Sequence, residues 1–105
     1  MTDIKKQAKA AWDRSLHKTN LKQKFQDTLI FSHDNGMWNA DRETIAFLSA
    51  FRNSNHLIVE DIYGVPRSVD PSKLLAECVE RYQYAANRWS NDYQAFAQTR
   101  RADDV

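Results

Sequence analysis

Few side chains in this sequence stand where they could do chemistry together. The three histidines, His17, His33 and His56, are far apart. None has a histidine or cysteine partner at the i, i+4 spacing that binds a metal from one helix face. Folding could bring His33 to Asp34, or His56 to Glu60 and Asp61, but no metal-ligand spacing is present. Loop and strand-edge positions are the simpler expectation for these rings. Glu60 and Asp61 are adjacent, so on a strand they point to opposite faces and read as solvated charges. Glu77 and Arg81 stand at i, i+4, which supports a helix rather than an acid-base pair. No nucleophile motif or nucleotide fingerprint occurs, and two isolated glycines cannot build a phosphate-cradling loop. The chain is expected to be non-enzymatic, with no cofactor and no metal.

What remains is binding chemistry. Residues 1–24 hold seven lysines and arginines against two acids, a balance of +5. The rest holds eight against twelve, a balance of −4, which leaves the net +1 of the whole chain. Lys5, Lys9, Arg14, Lys18 and Lys22 could therefore track nucleic-acid phosphate, with Trp12 as a stacking face. The same asymmetry could instead steer assembly with another protein or with a second copy. Tyr84 and Arg88, at i, i+4 on the last helix, and Tyr63, in a turn, are the candidates for a protein-contact patch.

These residues need elements to hold them. The dominant one is the stretch from Pro71 to Arg101. Leu75, Val79, Tyr82, Ala86, Trp89, Tyr93 and Phe96 recur at alternating steps of four and three, a seam sustained through three heptads. Asp70 as N-cap and Pro71 at the first helical position mark its start. The seam can serve as the spine of a single domain or as a coiled-coil contact. Its aromatics fit a narrow dimer seam poorly, which favours the spine. Cys78 beside it reads as a small buried hydrophobe.

Ahead of this helix, Ile4, Ala8, Ala11/Trp12 and Ser15/Leu16 recur at helical spacing from Asp3 to Leu16. The small residues of this stripe would let a bulky neighbour approach, and the aromatic seam is the natural candidate. At His17–Asn20 the phase jumps by five to Leu21, then Phe25 and Leu29. Either Thr19 or Asn20 caps a second helix, or one bent helix continues. Asn35-Gly36, flanked by Ile30/Phe31 and Met37/Trp38, predicts a tight hairpin or a structured loop. Asp41 is the N-cap of a helix over about 42–52, apolar on most sides and expected to be the most buried element. Residues 56–62 and 65–69 predict a β-hairpin around Tyr63-Gly64, with Pro66 at an edge position.

The fold class expected is α+β, mostly α: three or four helices with one β-hairpin (about 56–69) preceding a long C-terminal helix (about 71–101). At 105 residues the chain is read as a single domain, 1–105. No window approaches the ~20 apolar residues of a membrane span. No signal peptide is evident, and one unpaired cysteine suits a reducing compartment.

The run Ile58-Val59-Glu60-Asp61-Ile62-Tyr63-Gly64-Val65-Pro66-Arg67-Ser68-Val69-Asp70 leads straight into a helix carrying Tyr82 and Trp89. Together with Thr44-Ile45-Ala46-Phe47-Leu48 it resembles small proteins of tailed bacteriophages, including those infecting cyanobacteria. The layout is also similar to the C-terminal hairpin-plus-helix of phage tail-fibre assembly proteins. The resemblance covers about residues 41–100 and carries over no functional residue. It implies a virion or tail-assembly accessory, or a factor acting on the host, placed in the host cytoplasm or the virion. The partner expected is another protein, phage or host, or a second copy of the chain. The alternative is a nucleic-acid-binding or transcription-modulating factor using the basic first helix.

Overall fold

The computed structural model describes residues 2–103, with side chains from Ile4 to Thr99. The elements are α1 (Thr2–Thr28), β1 (Ile30–His33), β2 (Gly36–Asn39), α2 (Arg42–Ala50), β3 (Leu57–Glu60), β4 (Pro66–Val69) and α3 (Pro71–Asp103). The class is α+β, mostly α, as expected, with a hairpin leading into a long last helix. The Asn-Gly region resolves as a second hairpin.

Helix α1 is continuous through the phase jump. Thr19 does not cap a new helix; its Oγ1 donates to the Ser15 carbonyl (3.0 Å), a bond made inside a helix. The Gln23 amide donates to Asp27 (2.9 Å), and Thr28 Oγ1 bonds the Lys24 carbonyl (2.8 Å), closing the last turn. At ~1.5 Å per residue these 27 residues span ~40 Å.

In the first hairpin, Asp34 and Asn35 occupy the two-residue loop, both with positive φ (47° and 64°). Such a loop matches the right-handed twist of the strands, and Asp and Asn tolerate it best after glycine. Gly36 is therefore not in the loop but pairs with His33. It is small for another reason. A Cβ there would stand 2.9 Å from Trp38 Nε1 and 2.8 Å from Arg67 Cδ. Phe31 faces Trp38 across the strands, and both are buried. The Trp38 indole N–H donates to the His33 carbonyl (2.9 Å), which satisfies its only polar atom.

Asp41 caps α2 as expected, its Oδ1 accepting from the Thr44 amide at 2.8 Å. The helix itself is less buried than its composition suggests. Leu48 alone is fully buried, while Ala46, Phe47, Ala50 and Phe51 are exposed. One turn of apolar residues is enough to anchor so short a helix on α3, and its other face is left to solvent. In the second hairpin Glu60 pairs with Pro66 and Leu57 with Val69. Pro66 opens an edge strand, where its missing N–H costs nothing.

Asp70 caps α3, accepting from Ser72 (3.0 Å), and Pro71 opens the helix. The buried line along α3 is Leu74, Cys78 and Ala85, with Leu75, Tyr82, Trp89 and Phe96 half-buried. The expected seam is thus displaced by one residue in its first half, and Val79 and Tyr93 face solvent. The displacement follows from the two hairpins and α2, which lie on one flank of α3 and draw Leu74 and Cys78 toward them. Both hairpins, α2 and the adjoining parts of α1 and α3 form a head around Leu29, Phe31, Trp38, Leu48, Val69 and Leu74.

Beyond the head, α1 and α3 continue as an antiparallel pair. Phe25 stacks on Trp89 (4.7 Å between centroids), Lys24 reaches Asp92 (3.7 Å), and His17 lies against Phe96 (4.4 Å). The chain measures 65 × 24 × 21 Å with a radius of gyration of 19.2 Å. A compact domain of this length has a radius near ~13 Å. This long arm is the reason for the difference.

Candidate functional site

The arm places the first apolar stripe where the sequence did not lead one to expect it. On α1, His17, Leu21 and Phe25 turn toward α3. At ~3.6 residues per turn, Ile4, Ala8, Ala11, Trp12, Ser15 and Leu16 lie on average roughly 140° away around the helix. All of them are exposed: Ile4 by 70%, Trp12 by 68% and Leu16 by 47%. The expectation that Ala8 and Ala11 would receive the aromatic seam of the last helix is therefore overturned. That seam packs on the second half of α1, through Phe25. The phase jump at His17–Asn20 is a change of face within one helix. The first half of α1 presents its apolar residues outward and the second half presents them inward.

Lysines line the stripe. Lys5 and Lys9 run along one edge, and Lys18 and Lys22 lie toward the other; all four are exposed, while Arg14 is half-buried on the side nearer α3. The five basic residues expected to act together therefore do share one element, with the exposed Trp12 among them. They do not form one face.

The two tyrosine candidates are separate. Tyr84 is half-exposed, and Arg88 donates to its hydroxyl (Nη1 to Oη, 3.3 Å) while standing 5.9 Å from its ring centroid. Tyr84 lines a groove of about 470 Å³ with Phe31, Glu77, Glu80 and Arg81. Tyr63 is 72% exposed at the tip of the second hairpin and lines no part of that groove.

A second apolar surface was not anticipated. Phe47 on α2 and Phe51 at its C-cap, rings tilted by 50° with centroids 5.1 Å apart, stand exposed, Phe47 beside Ile62. Phe47 and Ile62 line a groove of about 260 Å³ that also holds Glu43 and Glu60. The α2 face is legible as Glu43, Ala46, Phe47, Ala50 at i, i+3, i+4, i+7, once Leu48 is known to be the inward residue.

Asp61 was also missed as a structural residue. It is not a solvated strand charge: its side chain is fully buried. Oδ1 accepts from the Tyr63 and Val65 amides (2.9 and 3.0 Å), and Oδ2 accepts from Arg67 Nε (2.8 Å). The Arg67 hydrogen bond, followed by the backbone amides, holds its carboxyl below the ordinary value of 3.8. The clue in the sequence was Asp61 three residues before Gly64, an aspartate positioned to close a turn over a residue at φ +77°.

Several titratable groups of the head are engaged in structure. His33 Nδ1 lies 2.8 Å from Glu77 Oε2, and Nε2 lies 3.3 Å from Asp34 without hydrogen-bond geometry. Glu77 thus ties the first hairpin to α3. Cys78 is buried, and burial together with the charges of Asp41 and Glu77 raises its thiol to about 11, so it remains protonated. Among the described residues no group of three His, Cys, Asp or Glu side chains could hold a metal ion. No helix among them is long and apolar enough to cross a membrane. Comparison with protein-family models, curated protein sequences and solved structures finds no match to this chain.

Proposed function

We propose that this chain is a non-enzymatic protein-interaction module that docks through the outward stripe of α1, serving as an accessory in phage virion or tail assembly. The observation that carries the interaction role is the exposure of Ile4, Trp12 and Leu16 on the side of α1 turned away from its own fold. Large apolar side chains aligned on one exposed face mark a surface that another molecule covers. Aromatic residues at the centre of such a face supply most of the binding energy in protein interfaces. The phage setting rests on the resemblance of residues 41–100, and placement in the host cytoplasm or the virion follows from that setting.

The test is site-specific photo-crosslinking in the host cell, with the crosslinker at position 12 and, as control, at the exposed Asn55. A defined protein adduct from position 12, lost on Ile4→Ser with Leu16→Ser, is expected. No protein adduct from position 12 would remove the proposal.

One observation favours a second reading. Lys5, Lys9, Lys18 and Lys22 are exposed around Trp12, the combination of cations and a stacking ring that single strands and duplex backbones use. Nucleic-acid binding would then weaken steeply between low and physiological salt. Absence of duplex or single-strand binding at low salt would eliminate this alternative.

A further inference from the structure

We propose that the surface covering the stripe is the head of a second copy of this chain. The arm of each protomer lies across the exposed face of α2 in the other, in an antiparallel twofold dimer. This inference rests on the interaction reading above and names its partner.

Area is the first observation. A compact monomer of 12.3 kDa exposes roughly 6,100 Å², whereas this chain exposes 7943 Å². The excess, roughly 1,800 Å², is about twice what one partner contributes to a standard interface. The excess comes from the elongated shape of the molecule, and two of the apolar faces it leaves exposed are the stripe on α1 and the Phe47/Phe51 face on α2.

The two faces match chemically. The stripe is apolar with lysines at its edges, Lys5 and Lys9 on one side. The α2 face is apolar with carboxylates at its edge, Glu43 and Glu60. Residues 1–24 carry +5 and the remainder −4. Pairing arm with arm would bring two +5 segments together, whereas pairing arm with head opposes unlike charges and suppresses the wrong register. The faces also match in shape. Ala8, Ala11 and Ser15 on one helix and Ala46 and Ala50 on the other leave room for close helix approach, with Trp12 and Phe47 as the bulky residues between them.

Twofold closure follows from the count of faces. Each chain has one stripe and one α2 face. An antiparallel pair of long molecules satisfies both faces of both chains, with identical contacts related by the axis.

Sedimentation equilibrium of the full chain tests this. The expected mass is twice 12.3 kDa. Trp12→Ser and Phe47→Ser, both at exposed positions, should each weaken the dimer at least tenfold, with unchanged circular dichroism. Charge reversal supplies a test independent of the apolar residues. One chain carries Lys5→Glu with Lys9→Glu, and the other carries Glu43→Lys with Glu60→Lys. Each alone should dimerise more weakly, and an equimolar mixture should recover a heterodimer.

Wild-type monomer at about 100 µM, where even a weak dimer half forms, would overturn the inference. So would a dimer untouched by Phe47→Ser, which would mean arm pairs with arm, or an open polymer, which would deny closure. A monomer that still yields an adduct to a different protein from position 12 would end this inference and leave the interaction reading in place.

Discussion

Truncating Phe25 and truncating Trp12 should have opposite consequences, although both are large aromatics on the same helix. Phe25 sits on the inward face of α1, stacked on Trp89 at 4.7 Å and edge-on to Tyr82 at 5.9 Å. A fully buried Phe→Ala change costs about 3–5 kcal/mol. Phe25 is half-buried, so about half of that is at stake, plus about 0.5–1.5 kcal/mol for each aromatic pairing. Because these terms overlap, a loss of about 2–3 kcal/mol is expected for Phe25→Ala. For a domain of this size that lowers the melting temperature by ~10–20 °C. Trp12 is 68% exposed. Its removal from an exposed helix position should leave the monomer within about 0.5 kcal/mol of wild type, since alanine is also the better helix former. The assay is urea unfolding followed by circular dichroism at low micromolar concentration, below self-association. At higher concentration the order should reverse for association, which Trp12→Ala weakens and Phe25→Ala does not touch directly. Equal destabilisation of the monomer by the two substitutions would refute the assignment of the two halves of α1 to opposite faces.

Other outcomes follow from single contacts. Deleting Lys18 and Thr19 rotates the first half of α1 by ~200° relative to the second, bringing Trp12 to the side of α3. Self-association, measured by sedimentation, should then fall at least as far as in Trp12→Ser. Gly36→Ala places a methyl group within 3.0 Å of Trp38 and Arg67, and Trp38 is held by its bond to His33. A loss of about 1–3 kcal/mol is expected in urea unfolding. The carboxyl of Asp61 titrates below 3.8 in the folded chain, so its contribution to stability is complete above that value and disappears as pH falls through the depressed one. Asp61→Asn should flatten the fall of the stability profile below the ordinary value of 3.8, and Asp61→Ala should be the less stable of the two at pH 7. Cys78, with a thiol near 11 and no exposure, should react with a thiol reagent at pH 8 only at the rate of unfolding. Rapid stoichiometric labelling of the native protein would show that the site opens.

The features legible in the sequence are those settled by chemistry within a few residues. Asp70-Pro71 and Asp41 are helix starts because the cap is made by the residue's own side chain. The second hairpin and the buried Cys78 follow from local patterning. The features that were not legible depend on what stands on the other side of a face. Periodicity identifies a stripe at Ile4, Ala8 and Trp12, but it cannot say which neighbour the stripe meets. Helix α2 looked central because apolar residues occupy most of its sides, yet a nine-residue helix needs only the Leu48 side to anchor it. Asp61 and Glu77 read as surface charges because their partners are set by the fold: Arg67 stands on the returning strand of the same hairpin and His33 on the other hairpin. The Asn-Gly pair marked the right turn, but Gly36 serves Trp38 and Arg67 rather than the loop.

The jump in phase at His17–Asn20 carries more information than either helix half. A helix serving one partner keeps its apolar residues on one side, since each residue that drifts off the seam forfeits burial. Here the drift is a single step, completed within one turn, with regular spacing before and after it. Regular spacing on both sides means that each half is matched to a surface. The second half has its surface in α3, through Phe25 and Trp89. The first half has the same kind of apolar spacing, and among the described residues it meets no such surface. The head, for its part, leaves Phe47 and Phe51 exposed beside Glu43, an apolar face of opposite charge character. A lysine-edged apolar stripe and an apolar face edged by Glu43 and Glu60, on one elongated chain, can serve as complements, and two antiparallel copies satisfy both at once.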